Sequence, residues 1–276
     1  MRTCVITIVK NEHLYLNEWV KYHLDLGIEH IFVFEDFDSE THKSITDTYG
    51  DKVTLNNIFS ILNEDDRKMA LELKKTKKWN VQHIYLRNAL KYVGSLNKFD
   101  WCFVIDADEF VTLEGDALDK VLPLYENHDA FIMLWKCYGA DGHISKPDYT
   151  EKGVIETYTK EVCNNIIDKP QSLVKTCYNL KRYRPEFFHN QHHPSDVCKW
   201  CNTDLKRNIR ATYSKIYIRH YVTKSWEEFA WKRIKRGFFW GKTRLFDMFF
   251  LANPEFVSMK KELIKNARKS FSCTTL

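Results

Sequence analysis

The 276-residue chain lacks several features that would have placed it quickly. No run of about 18 apolar residues occurs, so no membrane-spanning helix is expected. There is no glycine-rich phosphate loop, which weighs against a nucleotidyltransferase or phosphohydrolase acting on nucleoside triphosphates. Internal repeats, low-complexity tracts and linkers are missing too, which leaves one main domain with a C-terminal appendage. No cleavable leader is expected before Cys4, since the first apolar strand pattern begins almost at Met1. Several of the eight cysteines sit inside apolar runs such as Trp101-Cys102-Phe103-Val104, where a thiol serves as a small buried hydrophobe. A reducing, cytoplasmic setting without disulfides is therefore expected.

What is present begins with an ordinary balance of 44% hydrophobic and 29% charged residues, as in soluble globular proteins. The 14% aromatic share is higher than ordinary and suits a large core plus stacking surfaces for flat ligands. The net charge of +5 is unevenly spread, since from Leu205 onward 17 Lys and Arg face 5 Asp and Glu. A basic tail thus follows an acidic body, and such a tail is a surface for phosphates, acidic lipids or nucleic acid.

Short β-branched apolar runs occur at Val5-Ile6-Thr7-Ile8-Val9, Ile31-Phe32-Val33-Phe34, Val53-Thr54-Leu55, Trp101-Cys102-Phe103-Val104-Ile105, Ala130-Phe131-Ile132-Met133-Leu134 and Ile216-Tyr217-Ile218. Between them lie helical spacings, with Leu16, Trp19, Val20, His23 and Leu24 on one face and Ile84, Leu86, Ala89, Leu90 and Val93 on another. Continuously apolar strands alternating with helices predict a doubly wound α/β domain with a mostly parallel sheet and helices on both faces. The expected division is a catalytic domain over 1–222 and a basic, aromatic helical extension over 223–276 packed on it. His23, on an apolar helix face, is expected to be a hydrogen-bonded core histidine.

Ligands of such sheets bind beyond the carboxyl ends of the strands. Those ends read Lys10-Asn11-Glu12, Glu35-Asp36 and Asp106-Ala107-Asp108-Glu109. In Asp-x-Asp on extended backbone both carboxylates project to one side, where they can share a hard divalent ion, Mn²⁺ or Mg²⁺. An ion there would neutralise charge on a departing nucleoside diphosphate. After the fifth strand come Trp135-Lys136-Cys137-Tyr138-Gly139-Ala140-Asp141-Gly142-His143, where glycines allow close backbone approach to a ligand. Trp135 or Tyr138 could stack on a sugar there. Asp141 is chosen as the base for the acceptor hydroxyl, with Glu109 and His143 as rivals, and an Asp-Gly turn is the plainer alternative.

Taken in order, Val9-Lys10-Asn11-Glu12, Glu18-Trp19, His23, Gly27 through Asp36, Gln82, Tyr85, Arg87-Asn88-Ala89, Asp106 through Phe110, Trp135, Gly139, Gly142-His143, His193-Pro194, His220 through Ser225, Lys232 and Arg236-Gly237 resemble the family 2-like and family 92-like glycosyltransferases. The resemblance covers Val5 to Gly237. It implies a GT-A fold, a nucleotide-sugar donor (often a UDP-sugar), a Mn²⁺ or Mg²⁺ ion and an inverting transfer; the expected acceptor is a glycan or glycolipid. It would put Lys10, Asn11, Glu12 and Asp36 around base and ribose, and Gln82, Arg87 and Asn88 along the nucleotide or donor sugar. Asp106 would approach ribose and metal, Asp108 would ligate the metal, and His220 would close the metal site. Lys224 and Ser225 would meet the diphosphate, and His193 the donor site. The chain departs from the pattern after Asp36, where Phe37-Asp38-Ser39-Glu40 stands in place of an Asn before Ser-x-Asp.

Two further patterns have competing readings. Cys198-Lys199-Trp200-Cys201 near His189, His192 and His193 has a zinc-like composition but lacks a second Cys-x-x-Cys. The tail mixes Lys232, Arg233, Lys235, Arg236, Lys242 and Arg244 with Phe238, Phe239, Trp240, Phe246, Phe249 and Phe250, which suits either peripheral contact with an anionic membrane or packing on the catalytic domain. Nucleic-acid binding through that tail would leave the acidic cluster unexplained, so no nucleic-acid partner is expected.

Overall fold

The structure, a computed structural model, describes residues 1–36, 41–75, 81–162, 174–190, 192–207, 215–235 and 246–272. The departure at 37–40, Arg236-Gly237, the tail residues Phe238, Phe239, Trp240, Lys242 and Arg244, and two cysteines, Cys163 and Cys273, lie outside the described residues. The strands are β1 (Thr3–Val9), β2 (His30–Glu35), β3 (Val53–Asn57), β4 (Trp101–Val104), β5 (Glu109–Leu113), β6 (Ala130–Cys137), β7 (Val174–Asn179), β8 (Trp200–Asn202) and β9 (Ile216–His220). The helices are α1 (Leu16–Asp25), α2 (Ser44–Tyr49), α3 (Glu64–Lys75), α4 (Val81–Ser95), α5 (Leu118–Val121), α6 (Val154–Thr157), α7 (Trp226–Lys235), α8 (Asp247–Ala252) and α9 (Lys260–Ser272).

The sheet runs β3-β2-β1-β4-β7-β6-β9-β5, with β8 beside β6. Strands β3, β2, β1 and β4 are parallel, whereas β7 is antiparallel to both β4 and β6. The α/β class and largely parallel sheet expected from the alternation of patterns are thus present. All six strands read from apolar runs exist; β5, β7 and β8 are additions. Register places Val9 opposite Glu35 and Ile6 opposite Val104. The segments that follow β1, β2 and β4 therefore emerge on the same edge, which is what brings Lys10, Asp36 and Asp106 to one side.

The chain forms two compact units, Met1–Trp135 with Lys169–Arg219, and Lys136–Asp168 with His220–Leu276. In the first, Cys4 and Ile6 of β1, Phe32 and Phe34 of β2, and Cys102 and Val104 of β4 share a core with Tyr85, Leu86, Leu90 and Val93 of α4. Every second strand residue meets the helix, as the period of two requires. Helix α1 buries Leu16, Trp19, Val20 and His23, the i, i+3, i+4, i+7 stripe. It ends in a Schellman motif, with Ile28 N–H donating to His23 O (3.0 Å), Gly27 N–H donating to Leu24 O (3.1 Å), and Gly27 at φ +100° where a side chain would be strained.

Three side chains of α1 hold β5. Trp19 Nε1 donates to Glu109 O (2.6 Å), Tyr22 Oη donates to Val111 O (2.9 Å), and His23 Nε2 accepts from Val111 N (3.2 Å) while its Nδ1 pairs with Trp19 O (2.8 Å). This fixes the neutral Nδ1–H tautomer, and His23 is the core histidine the helical pattern predicts.

The second unit has its own core of Trp226, Phe229, Phe246, Phe249, Phe250, Phe256, Leu263 and Ala267. Phe246, Phe249 and Phe250 of the tail are therefore interior, each at most 4% exposed, whereas Trp231 is exposed. That packing corrects the reading of those three rings as a membrane-facing set. No helix among the described residues is long and apolar enough to cross a membrane. The cysteines Cys4, Cys102, Cys137, Cys177, Cys198 and Cys201 are buried free thiols, and burial pushes Cys198 and Cys201 up to about 12.

Burial lowers the His23 pKa to about 3 from an ordinary 6.5. The unfolded chain therefore binds the proton more readily, and stability is lost as pH falls from about 6.5 towards 3, on the order of 4 kcal/mol over the window. Urea unfolding between pH 7 and 3 is expected to show this slope. His23→Leu should flatten it while lowering stability at neutral pH by roughly 1–3 kcal/mol through the orphaned Val111 N–H.

Candidate active site

The turn that leaves β4 is organised by charge. Asp106, Asp108 and Glu109 place three acids in four positions, an arrangement that needs a cation. The cation is Lys175 of β7. Because β7 runs antiparallel to β4 with Thr176 opposite Val104, Lys175 comes level with the turn. Its Nζ donates to Asp106 Oδ2 at 2.6 Å and lies 3.3 Å from Glu109 Oε2. Lys175 and Glu109 are both fully buried, while the Asp106 side chain keeps 32% of its surface open. The turn is closed by Asp106 N–H donating to Glu109 Oε2 (2.8 Å) and Glu109 N–H donating to Asp106 O (3.1 Å). Gln82 of α4 donates to the other Asp106 oxygen at 2.9 Å.

Burial pulls the Asp106 carboxyl up, but the adjoining ammonium and its hydrogen bond outweigh this and hold it below the usual carboxylate range. Glu109 goes the other way, since burial pushes its carboxyl well up against the opposing pull of Lys175. Burial lowers Lys175, yet the two carboxylates more than restore it and its pKa stands raised. His192 is beside this group and its pKa is lowered to about 3, by burial first and the Lys175 charge second. Its Nδ1 pairs with Val174 O (3.1 Å), and its ring meets Trp135 edge-on at 5.2 Å. Trp135 is 7% exposed, so its expected stacking face is turned into the protein. His193 N–H and His192 N–H both donate to Asn190 Oδ1, forming the loop that precedes Pro194.

The neighbouring strand ends carry the other expected residues. Asn11 adopts φ +55°, a left-handed residue directly after β1. Glu12 N–H donates to His42 Nε2 (3.0 Å), His42 Nδ1 pairs with Glu35 Oε1 (2.9 Å), and Tyr15 Oη donates to the Glu12 carboxylate. Asp36 Oδ1 accepts from Lys74 (2.6 Å) and from Tyr85 Oη (3.2 Å). Asp108 is 6% exposed within the turn.

Arg87 and Asn88 need correction. Arg87 Nη2 donates to Asp66 Oδ1 (2.7 Å) and Asn88 Nδ2 to Asp66 Oδ2 (3.0 Å), so the pair clamps α4 to α3 through a buried acid. In the second unit Asp141 is also structural. Its carboxylate accepts from Thr159 N (2.6 Å), Thr159 Oγ1 (3.0 Å) and Lys160 N (3.0 Å), and it takes φ +49° ahead of Gly142 at φ +82°. The plain Asp-Gly turn is what stands there, with the carboxylate occupied by these donors. His143 N–H closes that turn onto Ala140 O (2.9 Å), and the His143 ring meets Tyr158 edge-on. Gly139 packs tightly, since an added Cβ would lie 2.6 Å from Val162 Cγ1 and 2.7 Å from Asn253 Oδ1.

Ser225 is the cap of α7. Its Oγ donates to Glu228 Oε2 (2.7 Å), and Glu228 N–H donates back to Ser225 Oγ (3.3 Å), a reciprocal capping box. This replaces the diphosphate contact expected of it. Tyr149 Oη and Tyr158 Oη also donate to Glu228. Lys224, at φ +48°, is buried directly before the cap. His220 ends β9, 7% exposed, with its carbonyl accepting from Tyr138 N (3.0 Å).

An ion of the Mn²⁺ or Mg²⁺ kind takes carboxylate oxygen ligands, which are themselves commonly hydrogen-bonded. Of the two Asp106 oxygens, Oδ2 accepts from the Lys175 ammonium and Oδ1 from the neutral Gln82 amide. Among the described residues no group of three or more His, Cys, Asp or Glu side chains is gathered as a metal would need, and this includes Cys198 and Cys201.

Sequence reading missed Lys175, Asp66, His42 and Glu228. A lysine inside the apolar run Val174-Lys175-Thr176-Cys177-Tyr178 and the Ser-x-x-Glu spacing of Ser225 to Glu228 were the available signals for two of them. Ser225→Ala is expected to lower stability by about 1 kcal/mol and to leave nucleotide affinity unchanged. Asp66→Ala, which strands Arg87 and Asn88, is expected to lower it by roughly 2–3 kcal/mol. Differential scanning fluorimetry beside nucleotide calorimetry separates the two effects.

No protein-family model matches the chain, and no curated protein matches it. Some solved structures show partial likeness. Core-mannan synthase A from Aspergillus fumigatus, in a Mn/GDP form, is 11% identical with a TM-score of 0.36 over 68% of this chain and 62% of that one. TarS residues 1–349 from S. aureus is 12% identical with a TM-score of 0.37 over 99% and 73%. HddC from Yersinia pseudotuberculosis is 12% identical with a TM-score of 0.37 over 79% and 93%. This chain therefore spans under two thirds of the first of these proteins, and the manganese and GDP belong to that protein.

Proposed function

We propose that the chain is a glycosyltransferase that moves a sugar from a nucleoside-diphosphate donor to a hydroxyl acceptor. The observation that carries the reading is the convergence of Lys10-Asn11-Glu12, Asp36 and the Asp106–Glu109 turn at the carboxyl edge of the parallel strands β1, β2 and β4. That edge is where α/β sheets bind ligands. Asp106 is held by Lys175 and Gln82 and keeps an open surface, which suits it to accept from ribose hydroxyls. In the transfer the acceptor oxygen bonds to the anomeric carbon, the bond from that carbon to the diphosphate oxygen breaks, and the acceptor proton leaves to a base or solvent. A UDP-sugar donor, a glycan or glycolipid acceptor and inversion at the anomeric carbon complete the reading; these three rest on the family resemblance.

Nucleoside-diphosphate release from a panel of UDP-, GDP-, CDP- and dTDP-sugars tests this. One donor class is expected to be turned over, and Asp106→Asn is expected to lower kcat/KM by roughly 100-fold. Absence of hydrolysis, transfer and binding for every donor, with and without Mn²⁺, would overturn the reading.

A further inference from the structure

On α1 and α3, exposed lysines have acids one turn away, with Lys21 Nζ 2.5 Å from Asp25 Oδ2 and Lys68 Nζ 3.5 Å from Glu64 Oε1. Helix α9 is built differently. Leu263 and Ala267 enter the core of the second unit, with Ile264 and Phe271 packed against it. At about 3.6 residues per turn, Lys261, Lys265, Arg268 and Lys269 share an arc of about 100° away from that core. All four are exposed. Lys261, Lys265 and Lys269 follow one another at steps of four, where like charges destabilise a helix. Lys261 also stands in the first turn, where the helix dipole disfavours a cation. The sole acid of α9, Glu262, lies at the rim of the arc. Among the described residues no ion pair holds Lys261, Lys265 or Lys269. Next to this stripe, α8 and the 3₁₀ turn Pro254–Met259 direct aliphatic side chains outward. Leu251 is 65%, Val257 53% and Met259 38% exposed.

We propose that this face of the second unit is a docking surface for a bilayer that carries anionic phospholipids. Lys261, Lys265, Arg268 and Lys269 meet the headgroup phosphates, and Leu251, Val257 and Met259 enter the acyl boundary. A cationic stripe flanked by aliphatic side chains is complementary to that surface in both charge and polarity. The negative surface supplies the counter-charge that α9 itself lacks, so docking relieves the repulsion within the stripe. A single-stranded nucleic acid would also answer the charge, but its bases stack on aromatic rings. Here the exposed neighbours are aliphatic, and Phe246, Phe249 and Phe250 are interior. The lipid-facing set is thus a different one from the aromatic rings expected of the tail. Docking here needs no nucleotide and holds whatever reaction the first unit performs.

Co-sedimentation of the full chain with extruded vesicles tests this. Binding is expected to vesicles of equal parts phosphatidylcholine and phosphatidylserine, and is expected to fall steeply as salt is raised. Vesicles of phosphatidylcholine alone are expected to bind roughly 100-fold more weakly. Lys261→Gln, Lys265→Gln and Lys269→Gln together are expected to lower the partition coefficient on anionic vesicles by roughly 100-fold. Their melting temperature is expected to be unchanged or raised, since the like-charge steps are gone. Leu251→Ser with Val257→Ser is expected to lower the coefficient by roughly 10-fold and to keep the salt dependence. Should the triple variant fail to fold, Lys265→Glu alone, expected to bind roughly 10-fold more weakly, takes its place. Absence of wild-type binding to anionic vesicles overturns the proposal, and so does equal binding to neutral and anionic ones. Binding that the triple variant retains in full also overturns it. Capture of a single-stranded oligonucleotide in place of the vesicles gives the stripe to nucleic acid instead. A serine pair that partitions as the wild type does overturns the aliphatic half.

Discussion

One buried ammonium holds together the part of this protein where chemistry is expected. Asp106, partly open, and Glu109, fully buried, approach the same Lys175 Nζ from the two sides of a tight turn. Breaking such a pair by deleting one partner costs roughly 3–5 kcal/mol, because the remaining charge stays buried and uncompensated. The consequences reach beyond the turn. Glu109 opens β5, and its carbonyl accepts the Trp19 indole of α1. Asp106 is tied to α4 through Gln82, and Lys175 belongs to β7. Four elements distant in sequence are thus registered on one charge.

That dependence explains which expected residues are at the sheet edge and which are elsewhere. Polar residues immediately after parallel strands are placed by the ladder itself, so Lys10, Asp36 and Asp106 were legible from apolar runs alone. Those on helices and long loops were not. Arg87 and Asn88 look like ligand donors until Asp66, more than twenty residues earlier, is seen to take both of them. Nothing local in the sequence announces that partner. Lys175 is hidden in the same way, because its meaning depends on an antiparallel strand pairing across some seventy residues.

Two other misreadings have a different cause. Ser225 and Asp141 had local signals that favoured structure, namely the Ser-x-x-Glu capping spacing and the Asp-Gly turn, and those signals decided the outcome. A short polar side chain beside a helix start or a left-handed turn has backbone donors within reach at no cost in chain entropy, so it satisfies them first. The tail aromatics show the apolar counterpart. Phe246, Phe249 and Phe250 surround Trp226, with ring centroids 5.0–5.4 Å apart, and the burial of that cluster is a stronger requirement than any exposed surface role.

Buried charge, once balanced, also limits what a ligand can do. A site whose carboxylates await a metal changes its net charge when the metal arrives, and its geometry is completed by the ligand. A site balanced by a lysine on a strand has its geometry in advance, held by Asp106 N–H, Gln82 and Lys175 together. The open face of Asp106 then offers a fixed acceptor. Such a preorganised acceptor favours a polyhydroxylated ligand, and under the proposed glycosyltransferase reading that ligand is the ribose of the donor nucleotide.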